Sequence, residues 1–394
     1  MRTSAVGAVL SGVLASLPSP AWAQEVATPA PAAAVAPAPA EEKKDFDPGK
    51  YVAGALENLG IPIRLNGYAW VDTGYLSRTY DLTAYPQQDA AYMQGRVVLG
   101  AGLKRTFGDY YGEVKVQFLG LVNEYAKSQY EPDTLEAYLQ IGHQKWWDLQ
   151  IGRFLAWEVY HRGQGIELYT LEDRGVGYAT LYWLDYTRGY LDQAGQVAVH
   201  FYPWSFLKFE LAGVYGQQDS QNNFGVRPVV DFSLGDFQLI GGYELLLKRP
   251  QTASDKVEKT QMGFAAKAQY RFPVVTVGAD VAWSSQRVLD INATPDTGNS
   301  WDKASFGGFV DLDFWNNSIG LGYHRTNQTD QRSNFVYQDQ AFVSYLYRLP
   351  IKGLDLKAVY YFGHGHKMDN GVGGRKEWDD YLQSFRLRIS YAFE

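Results

Sequence analysis

SFRLRISYAFE, residues 384–394, ends the chain and alternates apolar or aromatic side chains with polar or small ones. The apolar and aromatic positions are Phe385, Leu387, Ile389, Tyr391 and Phe393. A period of two puts these side chains on one face of an extended strand and Arg386 and Arg388 on the other. In a soluble sandwich the apolar face would meet a protein core. In an outer-membrane barrel it would meet lipid, and the polar face would line a wet interior.

The composition of the chain favours the barrel. Beyond the N-terminus there is no run of about eighteen consecutive apolar residues, which excludes a helical membrane protein. The mean hydropathy of −0.30 resembles that of a soluble chain, but barrels share such values because every second strand residue is polar. Aromatic residues make up 15% of the chain and glycine occurs 40 times, which suits strands with interfacial belts. The absence of cysteine excludes disulfides and thiol catalysis.

The N-terminus predicts export. MRTSAVGAVLSGVLASLPSPAWAQE combines a basic Arg2, an apolar stretch over residues 5–17 and a small-residue pattern that ends at Ala23. These are the parts of a secretory signal peptide, cleaved after Ala23. The alternative is a short membrane anchor, but about 13 apolar residues are too few to cross a bilayer as a helix. Cleavage would remove one positive charge and change the formal net charge of −7 to −8.

Three further regions follow the signal peptide at residues 1–23. Residues 24–45 are Ala/Pro-rich, without apolar periodicity, and predict a disordered tether. Residues 46–63 predict a short linker or helix. Residues 64–394 repeat one unit, in which an alternating segment, a short turn, a second alternating segment and a longer polar loop follow each other.

We count sixteen alternating segments in residues 64–394. They centre near residues 71, 98, 117, 138, 150, 197, 211, 229, 242, 266, 280, 309, 322, 343, 359 and 387. The short connections are TFGDY, HQKWWD, YPWSF, SLGDF, FPVV, FWNNS and RLPIKGLD, which hold the residues that tight turns need. The other connections are longer and polar, as in QQDSQNN and HGHKMDNGVGGRKEWDD. Each segment has about twenty residues for its strand and share of loop, enough for a tilted crossing of nine to eleven residues.

This asymmetry between the two ends is typical of a bacterial outer-membrane barrel, with tight periplasmic turns and longer external loops. Aromatic residues also cluster at the short-turn end, as an interfacial girdle requires. They are Phe107, Tyr110, Trp146, Trp147, Tyr202, Trp204, Phe206, Phe237, Phe272, Phe314, Trp315, Tyr347 and Phe393. The predicted fold is therefore an all-β, transmembrane, antiparallel up-and-down β-barrel of about 16 strands in the outer membrane.

One connection is much longer than the others. Residues 155–190 follow the fifth segment and form the third external loop. Loops of this length without regular structure are usually functional.

Here the chain resembles the Gram-negative outer-membrane porins. RVVLGAGLKRTFGDYYGEVKVQF, followed by TLEAYLQIGHQKWWDLQIGRFLAWE, is similar to the pattern of the phosphate-selective porin family, closely over residues 96–158 and loosely over 64–394. The resemblance implies a homotrimer in which the third loop folds into the lumen and narrows a water-filled pore. It also implies passive diffusion and ion transport of small hydrophilic solutes, without enzymatic activity or a cofactor.

The resemblance also implies a pore constriction in and beside the third loop. Its expected residues are Arg153, Glu158, His161, Arg162, Glu172, Asp173 and Arg174. Fixed charges across a narrow gap filter solutes by size and by charge. Residues 156–189 hold three arginines against five acids, which disfavours a phosphate filter and favours a weakly cation-preferring or mixed throat. The alternative is a channel specific for an anion or a sugar.

Strand parity predicts a charged lumen wall. Its residues are Arg96, Glu113, Lys115, Lys208, Glu210, Lys267, Arg271, Lys357, Arg386 and Arg388, together with Asp72, Asp280, Asp311 and Asp313. The alternative is that these are merely solvated polar faces with weak local ion pairs. Arg153 is an exception, because alternation from Leu149 and Ile151 points it at lipid. A bulge at the barrel rim would turn it inward.

Two other functional classes stay open. An outer-membrane lipid hydrolase would need a paired Ser and His at the rim, and no GxSxG pattern occurs. An envelope-tethering barrel would use the Ala/Pro segment. His364 and His366 in HGHKMDNG form only a partial metal ligand set, so we expect a polar loop there and no metal site.

The expected partners follow from the location. They are outer-membrane lipid and lipopolysaccharide on the outer face, small hydrophilic solutes in the pore, and the barrel assembly machinery, with no nucleic acid. Proteins that resemble this chain usually end on the terminal aromatic residue, whereas here Glu394 follows Phe393. Deleting Glu394 should leave assembly unharmed, which an unheated gel of the membrane fraction measures. A failure to assemble would indicate a different recognition signal.

Overall fold

The fold was analysed in a computed structural model of the chain. The residues that the structure describes are 63–81, 87–123, 133–154, 157, 159, 193–218, 221–250, 257–290, 300–330, 335–369 and 376–393. The signal peptide, the tether, residues 46–62 of the linker and most of residues 155–190 lie outside them. No helix in the described ranges is long and apolar enough to cross a membrane.

Sixteen β-strands account for nearly all described residues. They are β1 (Arg64–Tyr80), β2 (Gln88–Phe107), β3 (Tyr110–Asn123), β4 (Asp133–His143), β5 (Trp147–Arg153), β6 (Gln193–Trp204), β7 (Leu207–Gln218), β8 (Gln221–Leu234), β9 (Phe237–Pro250), β10 (Val257–Arg271), β11 (Val275–Asp290), β12 (Trp301–Phe314), β13 (Asn317–Asp330), β14 (Phe335–Arg348), β15 (Leu354–Asp369) and β16 (Lys376–Phe393). Each predicted segment centre falls inside one of these strands.

The strands form one closed antiparallel barrel in chain order. Every strand pairs with its chain neighbours, and β16 pairs with β1 through register partners such as Asp72 and Arg388. Closure leaves no unpaired strand edge. The predicted all-β up-and-down barrel of 16 strands is therefore confirmed, and the opening stretch forms the last part of β16.

The two faces of the barrel differ as the alternation predicts. On β16, Phe385, Leu387 and Ile389 are among the exposed large apolar side chains, whereas Arg386 and Arg388 are 3% and 1% exposed. We call the face with exposed apolar side chains the outer face and the opposite one the inner face. An apolar outer face without a protein partner suits lipid, because lipid is the solvent that such a surface prefers.

Seven short connections join the strands at one end of the barrel. They are residues 108–109, 144–146, 205–206, 235–236, 272–274, 315–316 and 349–353. Gly108 and Gly235 have φ angles of +62° and +58°, a conformation that glycine adopts without steric cost. Among the described residues Trp315 is the non-glycine with positive φ, at +53°, and it is 94% exposed. The turn therefore holds an exposed indole at the short-turn end of the barrel despite the strained backbone.

The aromatic girdle at the short-turn end holds with one correction. Its exposed members are Phe107, Tyr110, Trp146, Trp147, Trp204, Phe206, Phe272, Phe314, Trp315 and Tyr347, and two further predicted members, Phe237 and Phe393, are half-buried. Tyr202 was expected in the girdle, but it is half-buried on the inner face and its hydroxyl donates to Asp148 Oδ2 at 2.7 Å. It precedes Pro203 and Trp204 in the same turn region, so proximity to the turn did not reveal its face.

Two predicted polar loops are instead partly strand. In QQDSQNN the strands β7 and β8 run to Gln218 and from Gln221. In HGHKMDNG the strand β15 runs to Asp369, and its His366 pairs in register with Asp379. Polar residues extend these strands beyond the apolar band, because ladder hydrogen bonds form there whether or not the side chains are apolar.

Candidate functional site

The fifth strand ends early and leads the chain onto the inner wall. With 7 residues, β5 is shorter than the neighbouring β4 and β6, which have 11 and 12. Its pairing with β4 runs to the Ala137–Arg153 pair without a register shift, so the β4–β5 ladder contains no bulge at Arg153. The irregularity lies one residue earlier, at Gly152, which has a φ of +137°. Phe154, the next residue after Arg153, is buried.

Gly152 offers a direct test of this turn. A Cβ there would overlap the carbonyl oxygen of Ala137, and the φ angle disfavours any L side chain. We expect Gly152→Ala to lower the free energy of unfolding by about 1–3 kcal/mol, as strained backbone positions do. Gly195→Ala on the adjoining strand is the matched control, because its Cβ would meet only the carbonyl oxygen of Gly152 at 4.0 Å. Urea titration of the heat-modifiable gel band measures both, and equal midpoints would contradict the expectation.

Cross-strand register builds one row of the site on the inner face. Tyr111 pairs with Gly142, Gly142 with Asp148, Asp148 with His200, and His200 with Glu210. Partners in adjacent strands share a face, so the polar side chains of this row lie next to each other along the wall. The row belongs to the short-turn half of the barrel, since Asp148 is the second residue of β5.

A second row, one step further from the short turns, makes room for Phe154. Gln150 pairs with Ala198, and Ala198 with Ala212. These two alanines are small and buried, and Phe154 packs against both. The ring of Tyr138 meets Phe154 edge to face, with centroids 6.1 Å apart and an interplanar angle of 79°. The small side chains thus leave space for Phe154, the residue that directly precedes the third loop.

Trp157 contacts two residues of the first row, Glu210 and His200. Its backbone N–H donates to Glu210 Oε2 at 3.2 Å, and its carbonyl accepts from Arg227 Nη1 at 3.2 Å. Its indole stacks on the His200 ring, with centroids 5.0 Å apart and an interplanar angle of 11°. Both the backbone and the side chain of Trp157 are therefore held by the wall. We call Phe154, Trp157, Asp148, His200, Glu210 and Arg227 the loop-root cluster.

Apart from the half-buried Trp157, the residues of the loop-root cluster are buried, and their charges compensate each other. His200 lies between two carboxylates, with Nδ1 at 2.6 Å from Asp148 Oδ1 and Nε2 at 3.2 Å from Glu210 Oε2. Arg227 donates to the other oxygen of Glu210. Glu210 thus accepts from an arginine, from a backbone N–H and from the histidine. Removing a group from such a buried network leaves its partners without compensation, which costs more than the pair itself contributes.

A second buried network joins the first and last strands. Asp72 on β1 accepts from Arg386 Nε at 2.8 Å and from Arg388 Nε at 2.5 Å, and Gln94 on β2 donates to it at 3.2 Å. The guanidinium of Arg388 lies 3.9 Å from the centroid of Trp70. This seam network gives the two arginines of the C-terminal stretch a shared carboxylate on the strand that closes the barrel.

The structure places the predicted lumen-wall residues on the inner face. Arg96, Glu210, Arg386 and Arg388 are buried, whereas Glu113, Lys115, Lys208, Lys267 and Lys357 are half-buried and Arg271 is exposed. Asp72, Asp280, Asp311 and Asp313 lie on the same face. The half-buried and exposed residues, which include Asp313, are open to solvent, so a direct contact with solute is restricted to them. The role of all these residues in solute passage remains a proposal.

The predicted constriction residues are described only in part. Glu158, His161, Arg162, Glu172, Asp173 and Arg174 lie outside the described residues. Arg153 is half-buried, and its Nε atom is inaccessible to solvent. The bulge that was predicted to turn Arg153 inward is absent from the β4–β5 ladder, so its place in the throat remains a proposal that rests on the unusual backbone at Gly152.

Sequence reasoning missed Asp148, His200, Arg227 and Trp157. A signal was present for His200, because the alternation of QVAVHF puts it on the same face as Gln196 and Ala198, among otherwise apolar neighbours. Trp157 carried no such signal, since it follows the end of a strand and its partners come from β6 to β8.

Three further histidines of the described strands also face carboxylates, whereas His143 at the end of β4 accepts from the backbone N–H of Lys145 and meets the Tyr110 ring edge to face. His324 Nε2 lies 3.2 Å from Asp280 Oδ2 on the inner face, and His366 Nδ1 lies 2.9 Å from Asp379 Oδ1 near the long-loop end. His364 Nε2 is 3.2 Å from the same oxygen of Asp379. In the part of the chain that the structure describes, no group of three or more His, Asp or Glu is arranged to hold a metal ion.

Comparison with known proteins finds the fold and no family. No protein-family model matches the chain, and no curated protein does. The solved structures that it resembles include an anion-selective porin from Comamonas acidovorans, at 11% identity and a TM-score of 0.56, over 84% of this chain and 99% of that one. The outer membrane channel DcaP of Acinetobacter baumannii is 14% identical to this chain, with a TM-score of 0.56, over 84% of this chain and 97% of that one. The trimer form of OmpT, an outer membrane protein of Vibrio cholerae, is 11% identical to this chain, with a TM-score of 0.54, over 84% of this chain and 99% of that one. Identities this low show a shared barrel fold alone.

Proposed function

We propose that this protein is an outer-membrane porin for the passive diffusion of small hydrophilic solutes and ions. One observation carries the proposal: the chain leaves β5 early and Trp157 is bound, through its backbone and its ring, to the charged inner wall of a closed 16-strand barrel. A wide polar barrel with a loop attached to its inner wall can pass water and solutes and restrict their size. The solved outer-membrane porin and channel with the same fold support it.

The outer face supports a place in the outer membrane. On the outer face of β16, Tyr381 and Tyr391 lie ten residues apart, about 26 Å at the usual strand rise and tilt, and the side chains between them are Phe385, Leu387 and Ile389 with one polar exception, Gln383. This matches the apolar band of about 25 Å of outer-membrane barrels. At the long-loop end of the outer face charged pairs appear, such as Arg287 and Asp302 at 2.7 Å. Lipid and lipopolysaccharide are the proposed neighbours of this face.

The throat belongs to the same proposal. Residues 155–190 would extend from the loop-root cluster across the lumen, and Arg153, Glu158, His161, Arg162, Glu172, Asp173 and Arg174 would supply its charge. Acids exceed arginines in this loop, so the throat would be mixed or weakly cation-preferring. Phosphate selectivity, which the resemblance suggested, receives no support from the family comparison.

Export and assembly complete the proposal. The signal peptide would be cleaved after Ala23, and the barrel assembly machinery would insert the chain with its short turns in the periplasm. We propose a homotrimer, which the trimer form of the Vibrio cholerae protein supports by fold analogy. Enzymatic activity is not proposed, because the sequence has no GxSxG pattern and four of the described histidines, His200, His324, His364 and His366, face carboxylates.

Liposome swelling tests the proposed function. Vesicles that contain the folded barrel should swell in isotonic solutions of small sugars and amino acids, at rates that fall steeply as solute size increases. The control is the same protein unfolded by boiling and added to vesicles at equal mass. Equal, slow swelling with the folded and the boiled protein would refute a diffusion channel.

The proposed throat predicts a change in ion preference. Neutralising Arg162 by Arg162→Gln should raise the preference for cations, and Glu172→Gln should lower it, because each removes one fixed charge from a narrow gap. The reversal potential under a salt gradient across a planar bilayer measures both. Unchanged reversal potentials in both variants would remove this loop from the selectivity mechanism.

A further inference from the structure

A patch of partly exposed aromatic side chains lies on the inner wall beside the loop-root cluster. Tyr111 on β3, Tyr138 on β4, Tyr202 on β6 and Trp157 are all half-buried, and each belongs to the inner face or contacts it. Trp157 and Tyr202 are neighbours, with ring centroids 6.5 Å apart. We call these four residues the aromatic ledge. Tyr138 and Tyr202 also contact the loop-root cluster, through Phe154 and Asp148, so the ledge continues that cluster along the wall to Tyr111.

Polar groups surround the ledge in compensated pairs. Lys104 Nζ lies 3.1 Å from Glu113 Oε2 and 4.3 Å from the centroid of the Tyr111 ring. Gln140 Nε2 donates to the Tyr111 hydroxyl at 3.0 Å. The Lys104 and Glu113 side chains are 41% and 24% exposed, so both remain open to the lumen. A second pair, Lys115 and Glu136, follows at 2.7 Å.

The pairing of charges decides which class of ligand fits. Each ammonium has a carboxylate within ion-pair distance, so the ledge offers little net field to attract a free anion or cation. It offers hydrogen-bond donors from lysine and glutamine and acceptors from glutamate, next to aromatic surface. A neutral molecule whose hydroxyls both donate and accept, and whose ring carries an apolar face, is complementary to this combination.

We infer that the aromatic ledge is a binding subsite for a neutral sugar in transit through the pore. The sugar ring would lie against aromatic surface while its hydroxyls meet Lys104, Glu113 and Gln140. The inference rests on the proposed function, because the ledge reaches solute only if the lumen is open. It adds a substrate class and a position on the wall to that function. If the aromatic ledge only packed against the loop, sugar would not change the current through the channel.

Sugar block of single-channel current tests the inference. Maltose is added to the short-turn side and then to the long-loop side of one channel in a planar bilayer, and the conductance is recorded against concentration. A polyethylene glycol of the same hydrodynamic size is the control for simple obstruction. We expect maltose to reduce the current saturably at concentrations where the polymer does not.

Variants identify the residues. Tyr111→Leu should weaken the block by maltose about tenfold, a change of the size expected for one lost aromatic contact. Tyr110→Leu is the matched control, because Tyr110 is the adjacent residue and is exposed on the outer face. The unheated gel band checks that both variants are folded. If maltose blocked Tyr111→Leu and wild type equally, or if maltose and the polymer had equal effects, the aromatic ledge would not be a sugar subsite. Neither result would contradict the proposed channel. The absence of any current would instead refute the proposed function.

Discussion

Asp72→Ala is expected to lower the free energy of unfolding of the barrel by about 3–5 kcal/mol, the cost of breaking a buried ion pair by removal of one partner. Asp72 is 0% exposed and accepts from Arg386 and Arg388, which are themselves 3% and 1% exposed. The substitution leaves two buried guanidinium groups without their shared carboxylate. Because these groups belong to β16, the loss falls on the seam that closes the barrel. Urea titration monitored by the heat-modifiable gel band measures the change.

Asp302→Ala is the matched control for this prediction. Asp302 also pairs with an arginine across neighbouring strands, at 2.7 Å from Arg287, but the two side chains are 34% and 50% exposed on the outer face. Exposed pairs contribute about 0–1 kcal/mol, so this variant should unfold close to wild type. If Asp72→Ala and Asp302→Ala shifted the midpoint equally, the seam network would have no special weight in barrel closure.

Glu210→Ala should release the start of the third loop from the wall. Glu210 accepts from Arg227, from the backbone of Trp157 and from His200, so its loss leaves Trp157 without the acceptor that orients its backbone. In the proposed channel a released loop widens the throat and adds slow fluctuations to the current. We expect a higher single-channel conductance with more noise, together with a stability loss of about 3–5 kcal/mol. Bilayer recordings and urea titration measure the two effects.

Two variants control this prediction. Glu210→Gln keeps a carbonyl oxygen that can accept from the Trp157 N–H, so it should retain more of the wild-type conductance than Glu210→Ala. Lys208→Ala alters the same inner face two residues away, where the register partner is Asp231 and not a residue of the loop-root cluster, and should leave the noise unchanged. A Glu210→Ala channel with wild-type conductance and noise would show that this carboxylate does not position the loop.

Much of the barrel could be predicted from the sequence because strand faces are a local property. Alternation placed Phe385 and Leu387 outside and Arg386 and Arg388 inside without knowledge of any neighbour. Chain order then supplied the topology, since antiparallel strands joined by short turns pair in sequence. The composition of the connections distinguished the short-turn end of the barrel from the long-loop end, because it too is a local property of the sequence.

The partners of those inward side chains could not be predicted. Arg386 meets Asp72 from a position 314 residues away, and only the closed register determines which of several inner-face acids it reaches. The loop root is a similar case. Phe154 and Trp157 follow a strand that ends early, and their positions depend on small side chains at Ala198 and Ala212 and on Arg227, three strands away along the wall.

Local pattern also misled at two places. Tyr202 was assigned to the girdle from its distance to a turn, although its parity with His200 and Ala198 indicates the inner face. His364 and His366 were assigned to a loop because of the glycines and polar residues around them, but the ladder with β16 extends through them. Position near a turn suggested the wrong face for Tyr202, and polar composition suggested a loop for the two histidines. In both cases the strand to which the residue belongs determined its environment.

The conductance of single molecules in a planar bilayer shows whether the barrel encloses an open, water-filled pore. The full chain without residues 1–23 is refolded in detergent, shown to be folded by its unheated gel band, and added to one side of the membrane. We expect stable current steps that are linear in voltage and proportional to salt concentration, because the proposed pore is permanently filled with water. A folded barrel that inserts into the bilayer and carries no current would contradict the proposed pore.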